Sequence, residues 1–370
     1  MFKYYLRTIA VSWKIFGFSR VLFFSIFVEA LLRGFTFFTL FLDNIFYRKY
    51  KTIKVEKPIF ILGHPRSGTT FLHNMLTSTD ETAVFKTWHI FFPALTARLF
   101  IKPLINRLIR KGKTVLVPES AGHKTDLNQV DEEELLFLNN YDTQFTTIGL
   151  LGLDENEYPE LHFQDKQPRS RRMKSMKFFN GCLQRHMLYT GKRRVIAQTH
   201  FSTMRIKTLA EFYPDATFIF VVRSPHQTVP SFFSLLHKAI DYRWGLKKIP
   251  EKVLHRYNKK RYQAMIDLYR YFYDLDTNNE LPPGRVLTLP YDKLLKDLES
   301  GFDEICALTG IEPSDELRDK VRKQAAKQKD FKRKHKVMEL GQFGITREMI
   351  TRDFAFVFKR YGISSEHKDS

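Results

Sequence analysis

Cysteine is nearly absent: Cys182 and Cys306 are the two found in 370 residues. Two thiols cannot build a disulfide framework or a closed metal site, so a reducing compartment is expected. Acidic side chains are in deficit as well, 40 Asp and Glu against 60 Lys and Arg, for a formal net charge of +20. Such a surplus asks for an anionic partner: nucleic acid, a phosphate-bearing cofactor or an acidic membrane surface. The chain has no internal repeat and no low-complexity tract, which sets aside solenoid and fibrous architectures. A hydrophobic content of 43% is ample for one large or two small cored domains, and excludes a disordered chain. What is abundant is phenylalanine, with 35 residues, many of them ahead of Tyr47.

From Val21 to Leu42 the chain is apolar over a length that could cross a bilayer, with Glu29 and Arg33 as its charged residues. Each charge costs about 2.5–3.5 kcal/mol at a bilayer centre, whereas each strongly apolar residue returns about 0.3–0.6, so the sums nearly cancel. Lys3, Arg7, Lys14 and Arg20 precede the stretch, and Arg48, Lys49, Lys51 and Lys54 follow it. Cations on both flanks suit a pair of helices, broken near Gly34, that dips into the membrane from one face. A full span and plain packing against the rest of the chain are the alternatives. No small-residue cleavage site follows, against a secretory signal. Residues 1–50 are therefore expected to be membrane-associating helices, on a peripheral or monotopic protein at the cytoplasmic, inner face of the membrane.

The apolar run Pro58-Ile59-Phe60-Ile61-Leu62 leads into Gly63-His64-Pro65-Arg66-Ser67-Gly68-Thr69-Thr70 and then Phe71-Leu72-His73-Asn74-Met75-Leu76. Strand, glycine-containing loop and helix in this order frame a phosphate-binding loop, in which backbone N–H groups and a helix N-terminus cradle an anion. A nucleotide-hydrolysing loop carries lysine where Thr69 stands. Here the cation is upstream, at Arg66, whose guanidinium can grip an anion's oxygens bidentately. A second apolar run, Thr217 to Val222, ends in Arg223-Ser224-Pro225, with Ser231 opening a helical pattern beyond it. A magnesium-dependent loop enzyme needs an aspartate at the end of such a strand. Arginine there argues against a P-loop nucleotide kinase and for a cofactor held by arginines and backbone amides.

These paired motifs resemble those of the sulfotransferases that use 3′-phosphoadenosine-5′-phosphosulfate, in their bacterial branch, over roughly Pro58 to the C-terminus. The resemblance implies that Gly63, Arg66, Ser67, Gly68, Thr69 and Thr70 bind the 5′-phosphosulfate end and that Arg223 and Ser231 bind the 3′-phosphate. It also places Tyr291, after the strand-like run Arg285 to Leu289, beside the adenine. The implied fold is α/β, a parallel central sheet flanked by helices with a P-loop-like phosphosulfate-binding loop, preceded here by the N-terminal hydrophobic helical segment. The activity implied is sulfuryl transfer to a hydroxyl or amine, with no metal.

For the base, His200 follows the strand-like run Arg194 to Gln198, and an imidazole suits proton abstraction at neutral pH. In the cytosolic members of the resembled family a Lys-Thr-His segment supplies the catalytic histidine; here Gln198-Thr199-His200 lacks the lysine. Glu132 and Glu133, His89 and His123 are the rivals. Asp131 and Glu134 read as a capping box opening a helix at Leu135. Residues 91–190, mostly helical in pattern, are expected to form the acceptor site within a 51–370 catalytic domain, and their apolar content suits a lipid over a glycan. The resembled family has a late basic loop with glycines that closes over the 3′-phosphate, and Gly341 and Gly344, behind the basic run Arg322, Lys323, Lys327, Lys329, Lys332, Arg333, Lys334 and Lys336, fit it loosely. That run, like Ser170-Arg171-Arg172-Met173-Lys174, equally suits a solvated helix face or anionic lipid. No nucleic-acid-binding module emerges, leaving a basic membrane- or nucleic-acid-binding protein as the non-enzymatic alternative.

Overall fold

The computed structural model describes residues 2–329 and 337–365 and resolves two compact units, each assembled from separated stretches of chain. One unit comprises residues 56–82, 194–234 and 261–370. Its centre is a parallel four-stranded sheet in the order Ile196–Gln198, Ile59–Leu62, Thr217–Val222, Val286–Pro290. Fully buried apolar residues occupy both faces of the inner strands, as a parallel sheet covered by helices requires. Ile59, Ile61, Ile219 and Val221 pack with Leu72, Met75 and Leu76 of the Thr69–Leu76 helix and with Leu298, Phe302 and Ile305. The alternate residues face an aromatic layer: Phe60 stacks on Phe218 at 5.7 Å and Phe220 on Phe272 at 3.6 Å between ring centroids.

The expected strands all form, within two residues of their sequence limits. Between the first and third of them in chain order, Ile59–Leu62 and Thr217–Val222, the connections diverge to opposite sides. This is the switch point of a doubly wound sheet, where ligands gather at the carboxyl edge. Ser231 lies inside the Pro225–Trp244 helix, not at its start.

The other unit comprises residues 1–55, 83–193 and 235–260. Polar ties hold its first stretch to the rest of the unit. Arg7 Nη2 donates to Asp154 Oδ1 at 2.6 Å, Arg33 donates to the Leu138 and Asn139 carbonyls at 2.7 and 2.8 Å, and Asp43 accepts from Arg185 at 2.8 Å. The N-terminal helix pair is present, Phe2–Phe16 and a continuous Arg20–Phe46, joined by Ser12 to Ser25 at 3.0 Å and by Tyr5 Oη donating to the Ile26 carbonyl at 2.6 Å. Its break is at Gly17 (φ 58°), with Ser19 capping the second helix, and not at Gly34, which lies within the helix. Arg20–Phe46 is long and apolar enough to cross a membrane.

The capping box at Asp131 does not form. Its carboxylate accepts instead from Thr87 Oγ1 and the Glu132 N–H, and Glu134 accepts from Thr143, so a 3-10 helix, Glu133–Asn140, starts without a side-chain cap.

Candidate functional site

Each strand of the sheet delivers a candidate residue at its carboxyl end. Gly63 follows Leu62, Arg223 follows Val222, Tyr291 follows Pro290, and His200 stands just beyond Gln198. The loop after the first strand is built tightly. A Cβ on Gly63 (φ 124°) would lie 2.4 Å from the Val221 carbonyl oxygen, so only glycine lets the chain turn against the neighbouring strand. Ser67 folds back, its N–H and Oγ both donating to the His64 carbonyl at 3.1 and 2.7 Å. Gly68 (φ 100°) starts the helix and offers no side-chain cap. The first N–H groups of that helix, at Thr69, Thr70 and Phe71, have no acceptor within the helix and are suited to an anion's oxygens.

Arg66 adopts a left-handed backbone (φ 76°), and its Nε donates to Ser231 Oγ at 3.0 Å. Arg223 Nη1 donates to the Arg66 carbonyl at 3.3 Å and its Nε to Gln227 Oε1 at 2.7 Å. The Arg223 guanidinium lies 4.8 Å from the Tyr291 ring centroid. That ring also covers the loop: a Cβ on Gly68 would come within 2.2 Å of it. Arg66, Gly68, Arg223, Ser231 and Tyr291, separated widely in sequence, thus form one half-exposed cationic cluster.

His200 is buried beneath the same loop. Its Nδ1 lies 3.2 Å from both the Gly63 carbonyl and Thr69 Oγ1, and its Nε2 is 2.8 Å from the Gln198 amide, which also donates to Thr70 Oγ1 at 3.0 Å. Donation from Nδ1 to Gly63 leaves Nε2 as the nitrogen with a lone pair. Thr69, in the place of a kinase lysine, is itself buried against this imidazole. His64, next door, hydrogen-bonds Pro65 and stacks on Tyr269; burial pushes its pKa down to about 3.

The rival bases belong to the other unit. His89 closes the start of the Thr87–Phe91 helix by accepting from the Lys86 N–H at 3.0 Å, and burial, followed by the charge of Arg98, drives its pKa far below the ordinary value. His123 is exposed in a turn, and Glu133 is buried at the start of the 3-10 helix, directly after Glu132. In the C-terminal basic run, Arg322 and Lys323 pair with Glu299 and Asp319, as Lys320 just ahead of it pairs with Glu316, along a solvated face of the Asp315–Lys329 helix. Lys332, Arg333, Lys334 and Lys336 lie outside the described residues, and Gly344 (φ 72°) ends the turn Leu340–Phe343. Gln227, which orients Arg223, and Thr203, whose Oγ1 accepts from the Gly63 N–H, went unread in the sequence. The first sits one helical turn past Arg223 and could have been found by that spacing; the second carried no signal.

A family model described as the sulfotransferase family matches residues 58–316. The chain is 25% identical over 327 residues to the omega-hydroxy-beta-dihydromenaquinone-9 sulfotransferase of Mycobacterium bovis, covering 85% of this chain and 77% of that one. The same figures hold for the enzyme of that name from Mycobacterium tuberculosis. Among solved structures the fold is similar to the sulfotransferase STF1 of Mycobacterium tuberculosis, with a TM-score of 0.69 at 16% identity over 96% of this chain and 92% of that one. It is equally similar to the sulfotransferase STF9 of Mycobacterium avium, with a TM-score of 0.69 at 16% identity over 89% and 83%. The family model's match over most of the chain, with the relatives named and a fold shared with solved members, leads to one assignment: the chain is an enzyme of the sulfotransferase family.

Proposed function

We propose that the enzyme transfers a sulfuryl group from 3′-phosphoadenosine-5′-phosphosulfate to a hydroxyl carried by an apolar, membrane-resident acceptor. The observation that carries this reading is the cluster of Arg66, Arg223, Ser231 and Tyr291 around Gly68 at the carboxyl edge of the sheet. Such a cluster fits a donor with two anionic ends and a purine. The uncapped helix start and the Gly63 and Gly68 positions leave room for oxygens where a Cβ would intrude. In this reading Gly63, Arg66, Ser67, Gly68, Thr69 and Thr70 hold the 5′ end, Arg223 and Ser231 the 3′-phosphate, and Tyr291 the base. When bound, the donor supplies the sulfuryl group, its bond to the phosphate oxygen breaking as the acceptor oxygen bonds sulfur.

The chain's own part is to neutralise and to take a proton. Arg66 and the loop amides offset charge on the leaving phosphate oxygen. His200, with its Nδ1 proton held toward Gly63, accepts the hydroxyl proton at Nε2, the acceptor replacing the Gln198 amide there. The relatives' named substrate, a hydroxylated dihydromenaquinone, supports a lipid acceptor for this chain. Residues 91–190 are the proposed acceptor-binding part of a catalytic domain spanning 51–370. The exposed Phe23, Phe24, Phe27, Phe38 and Phe41 support seating the 1–50 helices on a bilayer. Two free, buried cysteines suit its cytoplasmic face.

The test is transfer of labelled sulfate from this donor into a lipid extract and, separately, into a glycan extract. Label in the lipid fraction, lost in His200→Ala by about a hundredfold or more, supports the reading; label in glycan alone, or His200→Ala turning over normally, overturns the acceptor or the base.

A further inference from the structure

The Leu95–Arg110 helix is amphipathic in two directions. Ala97, Arg98 and Ile105 face inward, and its N-terminus is fixed by Asp43, which accepts from the Leu95 and Thr96 N–H groups at 2.8 Å each. Its outward side changes character along its length. The second and third turns present Leu99, Phe100 and Leu104, 61%, 68% and 52% exposed, together with Pro103. The last turn and the bend after it present Arg107, Arg110, Lys111 and Lys113, and among the described residues none of these four pairs with a carboxylate. By contrast, Lys320 and Lys323 are neutralised along their own helix by Glu316 and Asp319. Apolar side chains left bare in water, next to unpaired cations, match the layering of an anionic bilayer: acyl chains below, phosphates above.

The Arg20–Phe46 helix supplies continuity. It buries Thr36, Thr39, Leu40 and Asp43 against this unit, with Leu40 packed among Ala94 and Ala97, while Phe38, Phe41, Ile45 and Phe46 stay exposed.

We propose that the Leu95–Arg110 helix is a second membrane-docking element, seated on an anionic phospholipid bilayer with its second and third turns in the apolar layer and its last turn among the headgroups. It rests on the bilayer reading of the 1–50 helices but extends the surface beyond them, into the folded body of the unit. Docking at two elements fixes the unit's orientation on the membrane, where a single anchor would leave it free to swing.

The experiment uses the full chain and vesicles of phosphatidylcholine with or without phosphatidylglycerol. Cys182 and Cys306 are buried, so an environment-sensitive dye can be placed selectively at Leu104→Cys or Lys113→Cys. The expected result is a vesicle-dependent blue shift at 104, little shift at 113, and vesicle affinity lowered at least tenfold in Leu99→Glu/Leu104→Glu with the thermal midpoint unchanged. Arg107→Glu/Arg110→Glu should remove the phosphatidylglycerol dependence. Vesicle binding by Leu99→Glu/Leu104→Glu at wild-type affinity, with loss only in Phe23→Glu/Phe27→Glu, overturns this proposal and leaves the anchor reading standing. The converse pattern keeps the helix and overturns the anchor. A blue shift at 104 without vesicles, in a protein that sediments as a dimer, assigns the face to a second copy and overturns the proposal.

Discussion

Arg66 does two things with one residue: it places a guanidinium at the loop and holds a left-handed backbone that costs a non-glycine residue about 1–2 kcal/mol. The two can be separated. Arg66→Gly relieves the backbone while removing the cation, so the thermal midpoint should hold or rise while affinity for adenosine 3′,5′-bisphosphate falls at least tenfold. Equal affinity would mean the guanidinium does not face the donor. Gly68→Ala should act oppositely, since a methyl there meets both the positive φ and the Tyr291 ring. It should lose about 1–3 kcal/mol in denaturant unfolding, and donor binding with it. The roles proposed for Arg66, Arg223 and Tyr291 come from the family resemblance, while their positions past the ends of strands were legible in the sequence because each comes after an apolar run. The partners of His200 were not, because the Gly63 carbonyl and the Gln198 amide meet it only through the register of two adjacent strands.

At the scale of elements, buried strands announce themselves and helix boundaries do not. Thr217–Val222 was readable to the residue, since six apolar or β-branched residues in a row suit a strand covered on both faces. The break in the N-terminal helices was misplaced because Gly34 and Gly17 look alike locally. What differs is tertiary: Arg33, beside Gly34, pairs with Glu29 at 2.9 Å and lies 3.8 Å from the Tyr141 ring centroid, holding the helix through that point. The capping box failed for the same kind of reason, Thr87 having claimed the Asp131 carboxylate. Asp43 shows what such ties are worth. It is fully buried, pairs with Arg185 and caps the Leu95–Arg110 helix. Asp43→Ala strands a buried guanidinium and should destabilise the protein by about 3–5 kcal/mol in chemical denaturation; a loss under 1 kcal/mol would show that Arg185 finds another partner.

Taken whole, the molecule carries buried histidines that bind protons poorly. Burial lowers His64 to about 3, and burial, then the Arg98 charge, holds His89 and His186 far below the ordinary value. All three are depressed, so the unfolded chain takes up protons first, and stability falls as pH drops below about 6.5. Each contributes up to about 1.4 kcal/mol per pH unit until its folded-state pKa is reached. Denaturant midpoints should therefore change little between pH 7.5 and about 6.5 and fall from there to pH 5, and His64→Asn should flatten that slope by about one proton; an unchanged slope would contradict the assignment of His64 as a neutral, buried imidazole.

The net charge of +20, which the sequence left divided among three kinds of anionic partner, acquires addresses in the structure. A few cations converge on the sheet edge, many are paired along solvated helices, and those of the Leu95–Arg110 helix and the N-terminal flanks border bare apolar side chains. Whether the first group holds a doubly anionic donor is decided by calorimetric titration of the full chain with adenosine 3′,5′-bisphosphate in the presence of EDTA. Tight, metal-independent binding that drops at least tenfold in Arg66→Ala and in Arg223→Ala is expected; binding that needs magnesium, prefers ATP or ignores both arginines would overturn the proposed donor site.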